Sequence, residues 1–99
     1  MLLVFSEGKI PAGQVRIEKK DGENVLTISL DKAFRNKGYG KTLLLDSCME
    51  FTKSKKEPIQ AYVNESNIAS SKSFLKAGFT NNGQEEINGT LFNKYVYKP

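Results

Sequence analysis

The feature that most constrains the fold is a helical segment between two apolar strands. The segment "VLTISL" alternates apolar and polar side chains, which is typical of a strand buried on one face. From Gly38 onward the apolar residues recur at helical spacing, and "IQAYV", after Pro58, has strand character again. Because a helix that joins two neighbouring strands makes them parallel, the chain is predicted to form a mixed α/β sheet.

The remaining segments extend this pattern to the order βββαβαββ. "LLVF" and "QVRIE" are predicted strands, followed by the turns "SEGKIPAG" and "KKDGEN", so the chain begins with an antiparallel meander. In the first helix, Leu44, Cys48 and Phe51 form an apolar stripe, and Cys48 is expected to be a core residue rather than a nucleophile. "NESNIASSKSFLKAGF" predicts a second helix, with Asn67 as its N-cap and Gly78 as its left-handed C-terminal residue. The tail contains a predicted strand, "TLFNKYVY", after the connection "NGQEEING".

Length and composition narrow the class of protein. The 99 residues predict one domain, and no run approaches the length of about 18 apolar residues that a membrane span requires. One Cys cannot form an internal disulfide, which predicts a reducing, cytoplasmic setting, and with no His we expect no metal site. A net charge of +4 suits an anionic ligand. The sequence has no stripe of aromatic and basic residues of the kind that binds nucleic acid, so nucleic acid is not expected as a partner.

The start of the first helix, "RNKGYGKT", has the composition of an anion-binding site. Backbone N–H groups at a helix N-terminus point towards one spot, and the helix dipole adds a favourable potential there. Gly38 and Gly40 have no side chain to hold a diphosphate away. The segment also carries three cations that can add charge-assisted hydrogen bonds: Arg35, Lys37 and Lys41.

Two other interpretations of this segment stay open at the level of the residues. One is a nucleoside-triphosphate P-loop ending in Gly40-Lys41-Thr42, although that motif requires a further Gly where Arg35 stands. The other is an ordinary glycine-rich helix start whose cations are solvated. Residues 35–40 alone do not distinguish these two interpretations from a diphosphate site.

A second motif follows at a fixed distance, and together the two resemble the GNAT superfamily of acetyl-CoA-dependent N-acyltransferases. Arg35-x-x-Gly38-x-Gly40 is similar to the pyrophosphate-binding loop of that family, between its central strand and its first long helix. "NIASSKSFLKAGF" matches the family pattern Asn … aromatic-x-Lys-x-Gly-Phe at five positions: Asn67, Phe74, Lys76, Gly78 and Phe79. The resemblance extends from about residue 10 to residue 79.

The resemblance implies that the central strand and the next parallel strand splay apart and that the pantetheine arm of acetyl-CoA lies in the gap. Backbone groups near Ile28 and Leu30 would contact the pantetheine amides, and "IQAYV" would form the other wall. Asn67 would touch the arm, while Phe74 and Lys76 would line the thioester and adenine–ribose side. The diphosphate would be held by one run of residues: Arg35, Asn36, Lys37, Gly38, Tyr39, Gly40 and Lys41.

The implied reaction is direct attack of an amine on the acetyl thioester, but the sequence identifies no catalytic residue. Phe74 stands where the family often has a Tyr that protonates the departing thiolate. Either Tyr62 or Ser73 replaces that group, or the thiolate leaves unassisted, which its modest basicity permits. Glu23 and Asp31 flank the central strand, and each is expected to be a solvated turn residue rather than a base.

Members of the family usually carry another strand and one or two helices before the first strand seen in this chain. The resemblance therefore implies a single domain over residues 1–99 in a short or C-terminal form. A sheet that lacks its usual cover exposes apolar surface, which favours a homodimer or packing against another domain.

The predicted function is acetyl transfer from acetyl-CoA to a primary amine of a small molecule. The segment "GQVRIEKKDGENVLTISL" is similar to acetyltransferase domains that modify nucleotide-linked amino sugars, and a basic surface suits such an acceptor. A protein N-terminus, a polyamine and an antibiotic stay open as acceptors. The alternative function is a non-catalytic acyl-CoA-binding domain that acts as a sensor or as a partner subunit.

Overall fold

A computed structural model describes residues 1–7, 10–30 and 39–99 and confirms the predicted order of elements. The six strands are β1 (Leu2–Glu7), β2 (Ile10–Lys20), β3 (Glu23–Leu30), β4 (Ile59–Asn64), β5 (Thr80–Ile87) and β6 (Thr90–Tyr97). The two helices are α1 (Tyr39–Thr52) and α2 (Ile68–Lys76).

All six strands belong to one mixed sheet with the spatial order β1-β2-β3-β4-β6-β5. Strands β3 and β4 pair in parallel, as the intervening helix α1 requires, and the other neighbours pair antiparallel. Because β6 inserts between β4 and β5, the sheet ends in β1 on one side and β5 on the other. The predicted α/β fold with a mixed sheet is therefore confirmed.

Two hairpins of the sheet close through two-residue turns that the sequence encodes directly. Asp21-Gly22 joins β2 to β3 with φ angles of 49° and 82°, and Lys20 pairs with Glu23. Asn88-Gly89 joins β5 to β6 in the same way, with φ angles of 50° and 81°. Asp, Asn and Gly are the residues that adopt positive φ most readily, so these dipeptides set the register of the strands beside them.

Two predicted connections are shorter than expected. In "SEGKIPAG" the strands extend into the predicted turn, because β1 runs to Glu7 and β2 begins at Ile10. In "NGQEEING" most of the predicted connection is strand, because β5 extends from Thr80 to Ile87. Strand β5 lies at the edge of the sheet with every side chain exposed, so it has no apolar alternation from which a strand could be predicted.

Both helices pack on one side of the sheet, which we call the helix face. Alternate strand residues point to this side, and strand register places Ile17 opposite Leu26 and Asn24 opposite Ile59. The predicted stripe of α1 is confirmed, since Leu44, Cys48 and Phe51 are buried against these strands. A fully buried side chain such as Leu44 stabilises the fold by about 1.5–3 kcal/mol.

Helix α2 is held at both ends as the sequence predicts and packs through Phe74. The Asn67 side chain caps it by accepting a hydrogen bond from the Ser70 N–H at 3.2 Å, and Gly78, at φ 96°, follows the last turn. Phe74 is 3% exposed and stacks on Tyr95 of β6, with ring centroids 5.8 Å apart. It also meets the edge of Phe79 at 4.9 Å.

The opposite side of the sheet, which we call the open face, carries no described helix. It exposes Leu2 and Val4 of β1, at 51% and 63% of their surface. The predicted homodimer or contact with another domain stays a prediction. Within the described ranges, no helix is long and apolar enough to cross a membrane.

Candidate functional site

The central feature of the sheet is a gap between its two parallel strands. β3 and β4 pair only at Asn24–Ile59 and Val25–Gln60. Beyond this point β3 stays paired with β2 as far as Leu30, and β4 stays paired with β6 as far as Asn64. Each strand therefore follows its other neighbour, and the two strands separate towards their carboxyl ends.

A cleft of about 540 Å³ lies along the edge of β3 beyond the last pair with β4. Its volume is in the range of small-molecule sites in proteins. Residues from β3, α1 and α2 line it: Ile28, Ser29, Leu30, Gly40, Leu44, Asn67, Ala69, Ser70, Ser73 and Phe74. Three consecutive residues of β3 contribute, so the main-chain edge of this strand faces the cleft.

The N-termini of both helices meet at the cleft. Gly40, the second residue of α1, contributes to the lining, and so do Asn67, Ala69 and Ser70 at the start of α2. Neither helix has an acidic residue in its first turn. The positive ends of two helix dipoles are therefore directed at one region without a carboxylate from either first turn to neutralise them, which favours an anion or a polarised carbonyl oxygen.

No residue of the described lining has an ionisable side chain. The lining residues with polar side chains are Ser29, Ser70, Ser73 and Asn67, of which Ser29 points to the open face. Asn67 Oδ1 already accepts the cap hydrogen bond, and Ser73 Oγ donates to the Ala69 carbonyl at 3.2 Å. Among the described residues, the cleft therefore offers hydrogen-bond donors but no general acid or base of matched pKa.

Five of the predicted cofactor-binding residues line the cleft: Ile28, Leu30, Gly40, Asn67 and Phe74. Three others that the structure describes, Tyr39, Lys41 and Lys76, do not belong to the lining. The remaining four, Arg35, Asn36, Lys37 and Gly38, lie outside the described residues. No residue of the described lining comes from β4, because the lining opposite β3 comes from α1 and α2, so the wall expected from "IQAYV" stays a prediction.

Sequence reasoning missed four lining residues: Ser29, Leu44, Ala69 and Ser70. Ser70 lies three residues after Asn67 and four before Phe74, which places all three on one side of the helix. Once Asn67 and Phe74 are assigned to a site, this helical spacing is the signal that identifies Ser70.

Gly40 has a packing role that the sequence did not reveal. A Cβ atom at this position would lie 3.1 Å from Ser73 Oγ and 3.5 Å from Ser73 Cβ. The absence of a side chain thus allows the start of α1 to approach α2 closely. Space for a phosphate group is therefore not needed to explain this glycine.

The two proposed replacements for a thiolate-protonating Tyr lie in different places. Ser73 lines the cleft, whereas the Tyr62 hydroxyl donates a hydrogen bond to Glu23 Oε1 at 3.0 Å and Tyr62 is outside the lining. Burial, together with the nearby Glu23 carboxylate, raises the pKa of Tyr62.

The expectation that Glu23 is a solvated turn residue is wrong. Its carboxylate is only partly exposed, and it accepts hydrogen bonds from Lys94 Nζ at 2.8 Å and from Tyr62. The Lys94 hydrogen bond and then the Tyr62 hydrogen bond lower the pKa of Glu23. Asp31, the other candidate, lies outside the described residues.

Cys48 is a core residue, as predicted. It is fully buried on α1, and burial raises the pKa of its thiol to about 12. The thiolate needed for a nucleophile or a metal ligand is therefore strongly disfavoured. In the part of the chain that the structure describes, no three His, Cys, Asp or Glu side chains converge on a possible metal position.

The family follows from comparison with known proteins. Residues 1–98 match the family model described as "Acetyltransferase (GNAT) domain". The chain therefore belongs to the GNAT acetyltransferase family, the family that its two sequence motifs resemble. No curated protein sequence matches it significantly.

Solved structures share the fold at low sequence identity. Mutant forms of the spermidine/spermine N-acetyltransferase of Vibrio cholerae superpose with a TM-score of 0.84 at 17% identity, covering 98% of this chain and 65% of theirs. A candidate phosphinothricin N-acetyltransferase has a TM-score of 0.84 at 23% identity, covering 98% of this chain and 70% of that one. An N-acetyltransferase of Staphylococcus aureus Mu50 has a TM-score of 0.76 at 19% identity, with 97% and 69% covered. The chain thus spans slightly less than two thirds of the Vibrio cholerae protein.

Proposed function

We propose that the chain transfers an acetyl group from acetyl-CoA to a primary amine of a small molecule. The observation that carries this proposal is the cleft at the separated strands, where two helix N-termini meet the main-chain edge of β3. Membership of the GNAT family supports the same reaction.

The cleft has the chemistry that acetyl-CoA requires. A pantetheine arm carries two amides in an extended chain, and the strand edge beyond Val25 is not paired with β4. Hydrogen bonding along this edge would hold the arm as an added strand holds to a sheet. The start of α1 would hold the diphosphate through main-chain N–H groups, with Gly40 and Lys41 contributing there.

The described residues support catalysis by positioning rather than by proton transfer. The amine nitrogen bonds to the thioester carbonyl carbon, the C–S bond breaks, and the amine proton goes to solvent. Because the described lining has no titratable side chain, the chain would contribute orientation and hydrogen-bond donation, with Ser70 as a donor near Phe74, since the Ser73 hydroxyl already donates to the Ala69 carbonyl. A thiol pKa of about 8.5 allows the thiolate to leave without a proton.

The acceptor proposed is an amine attached to an anionic group, such as a nucleotide-linked amino sugar. The net charge of +4 supports this class, because a positive protein attracts a phosphorylated acceptor and repels a polycation. A polyamine, the substrate class of the Vibrio cholerae protein, is the competing acceptor. The described lining, which has no ionisable side chain, suits amines that are already largely unprotonated near neutral pH, and amino sugars are less basic than polyamines. A cytoplasmic setting, where acetyl-CoA is available, is part of the proposal.

One observation favours the alternative of a non-catalytic acyl-CoA-binding domain. Phe74 and the absence of any ionisable side chain in the described lining leave no evident proton donor or acceptor. Such a domain would bind acetyl-CoA and signal or assemble without turning it over. The two functions share the cleft and differ only in thiol release.

Binding and turnover measurements on the purified chain separate these possibilities. Calorimetry with acetyl-CoA would be followed by release of free CoA thiol in the presence of an amino-sugar nucleotide, spermidine or no amine. Ser70→Leu places an isobutyl group in the cleft and should abolish binding, whereas Lys72→Leu, on the exposed side of α2, should not. Thiol release that depends on the amine supports the acetyltransferase. Binding without release from any amine supports the non-catalytic domain, and no binding by the wild-type chain overturns both.

A further inference from the structure

The two halves of the sheet meet at a very short junction. One half contains β1, β2 and β3, and the other contains β4, β6 and β5. We call the two residue pairs Asn24–Ile59 and Val25–Gln60 the junction, because these are the only pairs that join the described halves of the ladder. Main-chain hydrogen bonds over so short a length leave the angle between the halves weakly determined, although this angle sets the width of the gap.

On the open face, Glu23 joins β3 to two of the three strands of the other half, β4 and β6. Its Oε1 accepts from the Tyr62 hydroxyl of β4 at 3.0 Å, and its Oε2 accepts from Lys94 Nζ of β6 at 2.8 Å. Lys94 and Tyr62 are themselves direct neighbours in the β4–β6 ladder, and the Lys94 ammonium lies 5.6 Å from the centre of the Tyr62 ring. A single carboxylate thus uses both oxygens to bind the far side of the junction.

On the helix face, the next residue makes a second connection. Asn24 is 5% exposed, and its Nδ2 donates to Glu57 Oε1 at 3.2 Å and to the Pro58 carbonyl at 3.1 Å. Lys19 of β2 also contacts Glu57, at 3.4 Å. Both partners of Asn24 come immediately before β4, so this side chain fixes where β4 begins.

Glu23 and Asn24 are adjacent in β3 and therefore point to opposite faces of the sheet. We propose that these two residues are positioning residues. Their hydrogen bonds hold the junction from both faces of the sheet and thereby set the width of the gap that receives acetyl-CoA. The proposal rests on the proposed function only for the identity of that ligand. The restraint on the junction is a property of the chain without ligand.

The electrostatics of the open-face connection distinguish this role from that of a general base. The hydrogen bonds from Lys94 and Tyr62 stabilise the carboxylate of Glu23 and lower its pKa, and Glu23 in turn raises the pKa of Lys94. Lys20 faces Glu23 from β2, and Tyr62 and Lys94 face it from β4 and β6. A carboxylate held by a cation in this way accepts a proton poorly, but it joins strands well at neutral pH.

The connection is tested first on the chain without ligand. Hydrogen–deuterium exchange of residues 59–64 would be followed in Glu23→Gln, Tyr62→Phe and Asn24→Ala. The matched control is Glu50→Gln, which breaks the exposed Lys53–Glu50 pair at the C-terminal end of α1, also an ion pair of 3.0 Å or less in length but remote from the junction. We expect exchange in β4 to be roughly fivefold faster or more in each junction variant and unchanged in the control. Unchanged exchange in all three junction variants would overturn the proposal.

Steady-state kinetics then separate positioning from proton transfer. In Glu23→Gln and Tyr62→Phe we expect the KM for acetyl-CoA to rise by roughly three- to tenfold, as for the loss of one hydrogen bond to a charged group in a partly exposed site. The double variant should raise the KM by less than the two single changes added as free energies, because both changes break the same contact. A fall in kcat by about 100-fold in Glu23→Gln, with the KM unchanged and the acidic limb of the pH profile lost, would make Glu23 a base and overturn the proposal.

These results are distinguishable from a failure of the proposed function. If the wild-type chain does not bind acetyl-CoA, the proposed function fails, while the exchange measurement still decides whether Glu23 and Asn24 hold the junction. If the wild-type chain binds acetyl-CoA and exchange is unaffected by the variants, the function stands and the positioning role is refuted.

Discussion

Replacing Gly40 with alanine tests which of two reasons accounts for this glycine. The cofactor proposal requires an open approach to the start of α1, and the structure independently requires space for Ser73 of α2. Ser73→Ala removes the hydroxyl that a new side chain would meet. The two single variants, Gly40→Ala and Ser73→Ala, and the double variant therefore form a double-mutant cycle. In the double variant the close contact with the Ser73 hydroxyl is removed, while any obstruction of the ligand by the new methyl group remains.

The stability changes follow from the distances. Alanine is more favourable than glycine within a helix by up to about 1 kcal/mol. At Gly40, however, the added Cβ would lie 3.1 Å from Ser73 Oγ, and overpacking of this kind costs about 1–3 kcal/mol. The single variant should thus lose up to about 2 kcal/mol of unfolding free energy. Without the hydroxyl, the nearest atom is Ser73 Cβ at 3.5 Å, an ordinary contact, so Gly40→Ala in the Ser73→Ala background should gain about 0.5–1 kcal/mol.

Urea unfolding followed by circular dichroism gives the stability of all four chains, and calorimetry gives their affinity for acetyl-CoA. If the glycine serves the ligand as well as the packing, the double variant recovers stability but not affinity. Recovery of both would show that packing alone explains Gly40 and would refute the placement of the diphosphate at this helix. If Gly40→Ala lowers the unfolding free energy in the Ser73→Ala background as it does in the wild-type chain, the packing argument is refuted.

Four further outcomes are expected. Gly38→Asp should abolish acetyl-CoA binding through its charge, and wild-type affinity in a calorimetric titration would contradict a diphosphate site beside it. Phe74→Tyr should raise kcat about tenfold or more if protonation of the thiolate limits turnover, whereas an unchanged kcat in the thiol-release assay would assign that step to solvent. Phe74→Ala should cost about 3–5 kcal/mol in urea unfolding, since it removes the contacts with Tyr95 and Phe79. Cys48, with its thiol buried and its pKa raised to about 12, should react with a thiol reagent only as the chain unfolds; rapid labelling of the native chain would show it accessible.

The parts of the fold that could be predicted from the sequence are those set by local interactions. The Asn67 cap, Gly78 and the apolar stripe of α1 each depend on residues within a few positions of one another. Most of strand β5 was assigned to a connection because its polar residues have no buried face and its pairing with β6 supplies its structure. The dipeptide Asn88-Gly89 was the local signal for a hairpin turn, which implies a strand on each side of it.

The lining of the candidate cleft was predicted in part for the same reason. Motif residues that line the cleft, such as Gly40 and Asn67, lie at helix starts, where short-range patterns carry information. The role of Glu23 was missed because its partners Tyr62 and Lys94 lie 39 and 71 positions away in the chain. Contacts over such separations depend on the order of strands in the sheet, which a single sequence does not reveal.

The short junction between β3 and β4 also divides the molecule along its chain. One half of the sheet comes from residues 2–30 and the other from residues 59–97, so each is contiguous and can form from neighbours before the two associate. The exposed residues after Thr52 connect α1 to the second half. A polypeptide cut there would yield two complementary fragments, and the cleft, which takes β3 and α1 from one and α2 from the other, would exist only once they recombine.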